Sequence, residues 1–210
     1  MDNVRGYLRR TVLSNKVCVS VVSFLLCCTS ASLITATVVS SQPLRGVNTY
    51  FALIDELIME ISGRPDLLKL VTSHNRKTAS WSEADILNRD KQWRAGNKDL
   101  IKSVEKNKLS KFLRALVGAS DGRVIEIIVM GKRGCNIAVS STTSDYWQGD
   151  EDKWKRTFAA GTDHFFADIW TLDKSTGKRA QQISKRFVVN GQPVGAITVA
   201  FDIVYRPERQ

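Results

Sequence analysis

The sequence is poor in the side chains that build metal centres and disulfides. It contains two histidines and four cysteines. Three of the cysteines fall inside one uncharged N-terminal run: Cys18, Cys27 and Cys28. Cys135 is the one thiol left in the remainder, so no intrachain disulfide is available there. We expect Cys135 to be a small strand residue, with an intermolecular disulfide as the alternative. The two histidines, His74 and His164, give little support for a transition-metal site, and no cofactor is expected.

The sequence also lacks the short motifs of the common catalytic classes. It has no phosphate-binding glycine loop, no nucleophile elbow and no Cys/His pairing at a plausible spacing. The adjacent carboxylates of Asp150, Glu151 and Asp152 are the remaining candidates for acid and base chemistry. They stand at the start of a predicted helix, where the helix dipole accounts for acidic residues. We therefore predict that the protein is not an enzyme.

The basic charge is concentrated in a helical region. The formal net charge is +10, and the segment from Arg64 to Arg114 contains thirteen Lys or Arg against six acidic residues. Most of these side chains fall on the polar sides of amphipathic helices, which indicates solvated faces; contact with anionic lipid headgroups is the alternative. No nucleic-acid recognition motif is present, so nucleic acid is not an expected partner.

The N-terminus has the pattern of a membrane anchor. Arg5, Arg9, Arg10 and Lys16 precede an uncharged run from Val17 to Gln42. This order predicts a cytoplasmic basic N-terminus over residues 1–16 and a signal anchor or transmembrane helix over residues 17–41. Small residues near position 30 leave a cleaved signal peptide open, and a lipoprotein reading of Cys27 or Cys28 is a weaker alternative.

Apolar residues recur at helical spacing up to residue 118 and at strand spacing beyond residue 123. The helices predicted are Leu44–Ile61, a short one from Asp66 to Val71 capped by Asp66, one with a Ser82/Asp85 capping box interrupted near Gly96, and one from Leu100 to Leu116. The strands predicted are Val124–Met130, Cys135–Ser140, Asp163–Leu172, Arg179–Val189 and Pro193–Tyr205, with a helix over Asp150–Ala160. The expected fold is therefore α+β, a five-stranded antiparallel sheet with a long N-terminal helix and additional helices.

The segment Thr143–Trp154 is too aromatic and acidic for a simple connection. It holds two tryptophans, one tyrosine and four carboxylates in twelve residues. Together with the preceding Asn136–Ser140 and the later Val194–Val199, it resembles the PDC sensor domains of the Cache superfamily, in a single-domain form, over residues 43–205. These are extracytoplasmic, PAS-like ligand-binding modules of bacteria.

The resemblance implies a long helix that leaves the membrane and packs on one sheet face. It also implies a small-molecule pocket on the other face, closed by the loop and helix after the second strand. The expected organisation is a periplasmic domain over residues 42–205, a tail over 206–210, and a single-pass location in the inner membrane.

Strand alternation indicates which side chains border such a pocket. In the last strand Ile197, Val199 and Phe201 form a bulky face that suits a core against the long helix, whereas the other face is small and polar. The predicted ligand-binding residues are Asp145, Tyr146, Trp147, Phe166, Asp168, Trp170, Thr198 and Asp202. Structural alternatives remain open: Trp147 as a core aromatic, Asp145 as a turn cap, and Asp168 or Asp202 paired with a basic residue such as Arg186.

Two functions follow as hypotheses. The first is a membrane-anchored sensor-like module that binds a small metabolite, such as an amino acid, an amine or a carboxylate. We expect no output domain after Tyr205, and we therefore expect the module to act through a membrane-protein partner, with a homodimer also considered. The alternative is a non-catalytic adaptor or structural subunit of an envelope complex, in which the pocket is vestigial.

Overall fold

The computed structural model describes residues 47–172 and 179–203. The predicted N-terminus 1–16, the transmembrane segment 17–41, the turn at 174–177 and the tail 206–210 lie outside these residues. Within the described ranges, no helix has both the length and the hydrophobicity needed to cross a bilayer.

In the part of the chain that the structure describes, five α-helices precede the sheet. They are α1 (Val47–Ser62), α2 (Pro65–Thr78), α3 (Glu83–Arg94), α4 (Lys98–Glu105) and α5 (Lys108–Ala119). The long first helix is confirmed over its described part, and so is the capping box of α3, in which the Ser82 hydroxyl accepts from the Asp85 N–H and the Asp85 carboxylate accepts from the Ser82 N–H.

Two helix predictions are wrong in detail. Asp66 is not the cap of α2: it lies in the first turn, Arg64 is the N-cap, and the helix continues to Thr78. The single helix predicted across residues 100–116 is two helices. The chain breaks at Asn107, whose side-chain oxygen accepts from the Ser110 N–H and so caps the second of them.

The sheet is antiparallel and contains six strands. They are β1 (Val124–Gly131), β2 (Asn136–Val139), β3 (Phe166–Ala167), β4 (Thr171–Leu172), β5 (Arg179–Val189) and β6 (Gln192–Asp202). The spatial order is β2-β1-β6-β5-β3, and β4 also pairs with β5. The α+β class is therefore confirmed within the described residues.

The predicted third strand is the element that differs most. Instead of one strand over Asp163–Leu172, two short strands pair with β5, Phe166 opposite Ser184 and Thr171 opposite Ala180. Between them the Asp168 carboxylate accepts from the N–H of Ile169, 2.7 Å away. The Asp168 N–H still donates to the Gln182 carbonyl at 2.9 Å, but the Asp168 carbonyl accepts from the Gln181 side chain at 3.0 Å. Regular pairing with β5 lapses after Asp168, so the sheet has six strands in five positions.

The two faces of the sheet have separate cores. Ile197, Val199 and Phe201 are buried in one cluster with Ile54 and Leu57 of α1, as the strand alternation predicted. Helices α2 and α5 complete this first core. The second core lies on the opposite face and is formed mainly by Ile86, Trp93, Leu100, Val104, Ile128, Met130, Cys135, Val139, Tyr146 and Ala196.

The helix predicted over Asp150–Ala160 has an unusual form. It is a single α-turn, α6 (Asp152–Trp154), followed by a π-helix at Lys155–Ala159, and it ends at Gly161 with φ of 68°. The π-helix packs on β5 and β6. The segment therefore covers the second face of the sheet over β5 and β6, next to the second core.

Strands β1 and β6 approach too closely for a side chain at Gly195. A Cβ atom there would lie 1.9 Å from the Met130 carbonyl oxygen, a backbone atom that cannot rotate away. The contrast is Gly191, in the β5–β6 turn, where φ is 73° and nothing lies within 4 Å of an added Cβ.

We predict that Gly195→Ala lowers the free energy of unfolding by about 3 kcal/mol or more, because the two central strands must separate. Gly191→Ala, the control, should cost about 1–2 kcal/mol through its positive φ alone. Urea denaturation followed by tryptophan fluorescence measures both. Equal losses for the two variants would show that the close approach of β1 and β6 is not a constraint.

Candidate functional site

The aromatic loop Ser144–Gly149 lies along β2, at one edge of the sheet. The Asn136 N–H donates to the Tyr146 carbonyl at 2.9 Å, and Trp147 forms an isolated antiparallel bridge with Cys135. The Gln148 N–H donates to the Gly134 carbonyl at 2.8 Å. The loop therefore extends the sheet edge by a short irregular strand.

One carboxylate on α3 fixes this loop. Asp90 is 5% exposed, and its Oδ1 accepts from the N–H groups of Tyr146 and Trp147 at 2.9 and 3.0 Å. Its Oδ2 pairs with the Arg94 Nε at 2.8 Å. Arg94 also reaches the Asp145 carboxylate at 3.4 Å. We call the Asp90 carboxylate, together with the N–H groups of Tyr146 and Trp147 that it binds, the Asp90 clamp.

Two further side chains hold the loop from the helix and strand sides. The Trp93 indole N–H donates to the Thr143 carbonyl at 2.8 Å, and the Trp93 ring contacts that of Tyr146, with centroids 5.9 Å apart. The Asn136 Nδ2 donates to the Asp145 carbonyl and to the Thr143 hydroxyl, both at 2.9 Å. Because a carbonyl can only accept, these contacts identify which amide atom is nitrogen.

A cavity of about 490 Å³ lies between α2, α3, α4 and the β2 edge, beside this loop. Its size falls in the range of small-molecule sites. Its polar lining comes from Ser73, His74, Lys77, Arg89, Gln92, Asn97, Asp99, Ser103, Asn107, Asn136 and Tyr146, and its apolar lining from Leu70, Trp81, Leu100, Val104 and Ile137. Apolar walls with several polar groups are the composition of a binding pocket.

Two side-chain atoms of lining residues have no hydrogen-bond partner among the described residues: Asn136 Oδ1 and His74 Nδ1. Asn136 is 0% exposed, and its Nδ2 makes two hydrogen bonds. Both unpaired atoms are buried beneath the cavity wall, and an unpaired buried polar atom costs about 1–3 kcal/mol.

Tyr146 and His74 meet at the base of the cavity as neutral groups. The His74 Nε2 and the Tyr146 hydroxyl lie 3.2 Å apart. Burial, with a smaller contribution from Lys77, lowers the pKa of His74 to about 4, and burial raises the pKa of the Tyr146 hydroxyl. Both are therefore uncharged at neutral pH. The charged residues of the lining are Lys77, Arg89 and Asp99.

Cys135 behaves as a core residue. It is 0% exposed, and burial raises the pKa of its thiol to about 12. An intermolecular disulfide would require the second core to open, so the structure contradicts that alternative. Among the described residues, no three His, Cys, Asp or Glu side chains converge as a metal site requires.

The residues predicted to bind a ligand do not converge on one pocket. Tyr146 lines the cavity; Asp145 and Trp147 belong to the same loop, but Asp145 pairs with Arg94, and the Trp147 indole donates to the Arg133 carbonyl at 2.9 Å. Asp168 and Trp170 lie at the opposite edge of the sheet, four strand positions and roughly 19 Å away.

Phe166, Thr198 and Asp202 do not line the cavity either. The Thr198 hydroxyl is buried against the Ser184 hydroxyl at 2.8 Å, and Phe166 lies under Arg156, whose guanidinium carbon is 4.4 Å from the ring centroid. Asp202 is 9% exposed at the end of β6. The π-helix packs on β5 and β6, on the sheet face that Phe166 and Thr198 share.

Sequence reasoning missed the helical half of the site. His74, Arg89 and Asn136 line the cavity, and Asp90 holds its loop, yet none was predicted as a site residue. The signal present for Asp90 is its four-residue spacing from Arg94, which indicates only a helical ion pair. Asn136 is the first residue of β2, and asparagine is uncommon in strands.

Comparisons with known proteins bear on the fold alone. No protein-family model matches the sequence. No curated protein matches it either. Solved structures do: the sensory domain of the Campylobacter jejuni chemoreceptor Tlp3 has 11% identity and a TM-score of 0.38, covering 72% of this chain and 63% of that one.

Two further similar structures are of the same kind. The ligand-binding domain of the Pseudomonas aeruginosa amino-acid chemoreceptor PctC, in complex with GABA, has 14% identity and a TM-score of 0.37, covering 56% of this chain and 57% of that one. The sensor domain of the Vibrio cholerae histidine kinase DctB has 12% identity and a TM-score of 0.35, covering 74% and 58%.

All three neighbours are sensor domains, the class of protein that the sequence resemblance indicates. The chain spans less than two thirds of the length of each. At these identities and TM-scores the superpositions do not establish a common ligand.

The Asp90 clamp predicts a large effect from a single substitution. Asp90→Ala removes the acceptor for two N–H groups of the loop and the partner of Arg94, so the free energy of unfolding should fall by about 3 kcal/mol. Arg94→Ala is the matched control: its side chain is 56% exposed, and the loss should stay below about 1 kcal/mol. Urea denaturation gives both values. If Asp90→Ala costs no more than Arg94→Ala, the loop is held by other contacts.

His74 predicts a pH dependence of stability. Its pKa of about 4 in the folded protein lies below the ordinary 6.5, so the unfolded chain takes up the proton first as the pH falls. The contribution of neutral His74 to the free energy of unfolding is complete above about pH 6.5 and is lost towards pH 4. The change is roughly 3 kcal/mol.

The measurement is the free energy of unfolding of wild type and His74→Gln between pH 7.5 and pH 4. The free energy of unfolding of His74→Gln should depend less steeply on pH than that of wild type, because the part that His74 supplies is missing. His164→Gln, at an exposed histidine, should keep the wild-type dependence. Parallel curves for wild type and His74→Gln would contradict burial of a neutral imidazole.

Proposed function

We propose that the protein is a sensor-type module that binds a small polar metabolite in the cavity beside β2. The observation that carries this proposal is the cavity itself, about 490 Å³, whose lining combines apolar walls with the charged side chains of Lys77, Arg89 and Asp99. Apolar walls with a few convergent polar groups are what a small polar ligand requires.

The charges of the lining narrow the ligand class. His74 and Tyr146 are neutral, so Lys77 and Arg89 supply positive charge and Asp99 supplies negative charge. Arg89 is held over the Trp81 ring at 4.6 Å, which orders its guanidinium. A molecule with both an amine and a carboxylate matches this set, and an amino acid is the simplest example.

The cavity is connected to the membrane side of the protein through α2. This helix carries His74 and Lys77 and joins α1 through Gly63 and Arg64. In our proposal residues 17–41 anchor the domain in the inner membrane with residues 42–205 in the periplasm. Movement of α2 on ligand binding then reaches α1, which presents the change to a partner protein in the membrane or to a second copy.

One observation favours the adaptor alternative. The sheet face beside Thr198, where the sequence resemblance implies a pocket, is covered by the π-helix, and Thr157 is 0% exposed there. An adaptor or structural subunit would need no pocket on that face. The cavity at β2 is what separates the two hypotheses, because a non-binding subunit needs no cavity lined by charged and polar side chains.

The test is a thermal-shift screen of the full chain in detergent against amino acids, polyamines and organic acids, including GABA, L-valine and L-asparagine. A ligand at about 100 times its dissociation constant stabilises the folded state by about 2.7 kcal/mol. Ser73→Trp places a large ring at the rim of the cavity and should abolish the shift.

Thr72→Trp is the matched control, since Thr72 is the neighbouring exposed residue of α2 and is not part of the lining. It should keep the full shift. A screen without a hit, together with one membrane protein recovered by crosslinking the full chain in its membrane, would overturn the sensor in favour of the adaptor. A shift that survives Ser73→Trp would place the ligand elsewhere.

A further inference from the structure

The edge formed by β4 exposes an unusual amount of apolar surface. Ile169, Trp170 and Leu172 are 81%, 48% and 56% exposed. These three are within four consecutive positions, whereas the other large exposed apolar side chains of the described chain, Met59 and Leu87, lie on separate helices. We call this surface the Ile169–Leu172 edge. Contiguous exposed apolar side chains of this kind mark contact surfaces.

The edge lies at the end of the sheet where the described chain begins. Thr171 pairs with Ala180, and Ala180 pairs with Asp202 at the end of β6. The ring of Tyr50, in the first turn of α1, contacts that of Phe201, with centroids 4.4 Å apart. The Ile169–Leu172 edge and the start of α1 are therefore neighbours at one end of the domain.

The chain that precedes α1 brings this end close to a bilayer. The uncharged run of residues 17–42 ends five positions before Val47, and five residues extend to at most about 18 Å. The headgroup region on each side of a bilayer is roughly 5–8 Å thick. If residues 17–41 span the membrane, the start of α1 cannot stand far above the lipid surface.

We propose that the Ile169–Leu172 edge lies in the headgroup region of the membrane in which the protein is anchored. The inference rests on the anchor in the proposed function and is independent of the cavity. Tryptophan is the residue most typical of this region, because its ring is apolar and its N–H is polar. The Arg179 guanidinium lies 4.8 Å from the Trp170 ring centroid, where it can pair with a lipid phosphate while its stem covers the ring.

A second protein strand is a poorer match to the same edge. Strands β3 and β4 have two residues each, and their registers against β5 differ by one residue. The Ile169 N–H between them is already bonded to the Asp168 carboxylate. The edge therefore offers few consecutive N–H and C=O groups for strand addition. Its apolar side chains, rather than its backbone, are what a partner would meet.

The test measures the contact of Trp170 with lipid. The full chain is reconstituted into phosphatidylcholine vesicles whose acyl chains carry bromine near the headgroup, and quenching of tryptophan fluorescence is recorded. The other tryptophans, Trp81, Trp93, Trp147 and Trp154, all pack in or against the second core. Trp170→Phe should therefore remove more than half of the quenching, and Trp81→Phe should leave it unchanged.

A second variant keeps the reporter and changes its surroundings. In Ile169→Ser/Leu172→Ser, Trp170 remains but the apolar surface is lost, so its quenching should fall at least twofold. Quenching that is equal in wild type and Trp170→Phe would overturn the proposal. So would a double variant that changes the protein from dimer to monomer without changing the quenching, since the edge would then contact a second copy.

Alkaline extraction of the full chain from its membrane tests the anchor separately. Retention in the membrane with no quenching from Trp170 would overturn the edge contact and leave the anchor intact. Release into the soluble fraction would overturn both. Ligand binding in the cavity is measured by the thermal shift, so its failure is distinguished from either result.

Discussion

The Asp90 carboxylate is the contact on which the arrangement around the cavity depends. One of its oxygens accepts from the N–H groups of Tyr146 and Trp147, and the other pairs with Arg94. Without it, two loop N–H groups lose their acceptor beside the sheet, which is costly because water cannot easily replace a buried partner. The clamp therefore fixes the aromatic loop to α3, and this in turn places the Tyr146 hydroxyl next to His74. The base of the cavity therefore depends on a carboxylate shared by a helix and a loop distant in sequence, together with the backbone bonds that join the loop to Gly134 and Asn136.

The sheet edge and the sheet face differ in what packs against them. The loop and α3 enclose a polar cavity beside β2 with α2 and α4, whereas the π-helix lies on the face formed by β5 and β6. Small side chains such as Thr198 allow the π-helix to approach instead of leaving room for a ligand. The unpaired Asn136 oxygen remains on the edge side, where polar side chains of helices and strands converge. The functional proposal follows from this difference between the two places.

Periodicity predicted the layers of the fold well and did not indicate the cavity beside β2, for physical reasons. The alternation of Ile197, Val199 and Phe201 identifies the core face of β6 because a buried apolar face has to repeat every two residues. The long first helix and the Ser82/Asp85 capping box are likewise local patterns. The break after Asp168 could not be anticipated from propensity, since it is a one-residue shift in the pairing with β5 between Ala167 and Thr171. The cavity could not be predicted for another reason. His74, Arg89 and Asn136 come from separate elements, and no sequence pattern specifies how close they lie.

Hydrogen exchange measured by mass spectrometry, on the full chain with and without a compound that raises its melting temperature, tests the central claim most directly. If the ligand lies in the cavity beside β2, protection should increase in α2 around His74, in α3 and α4, and in the loop around Tyr146, because bound ligand suppresses local opening of the groups that contact it. The sheet face around Thr198 and the Ile169–Leu172 edge should not change. Protection confined to the sheet face and the π-helix, with none around His74 or Tyr146, would contradict the account.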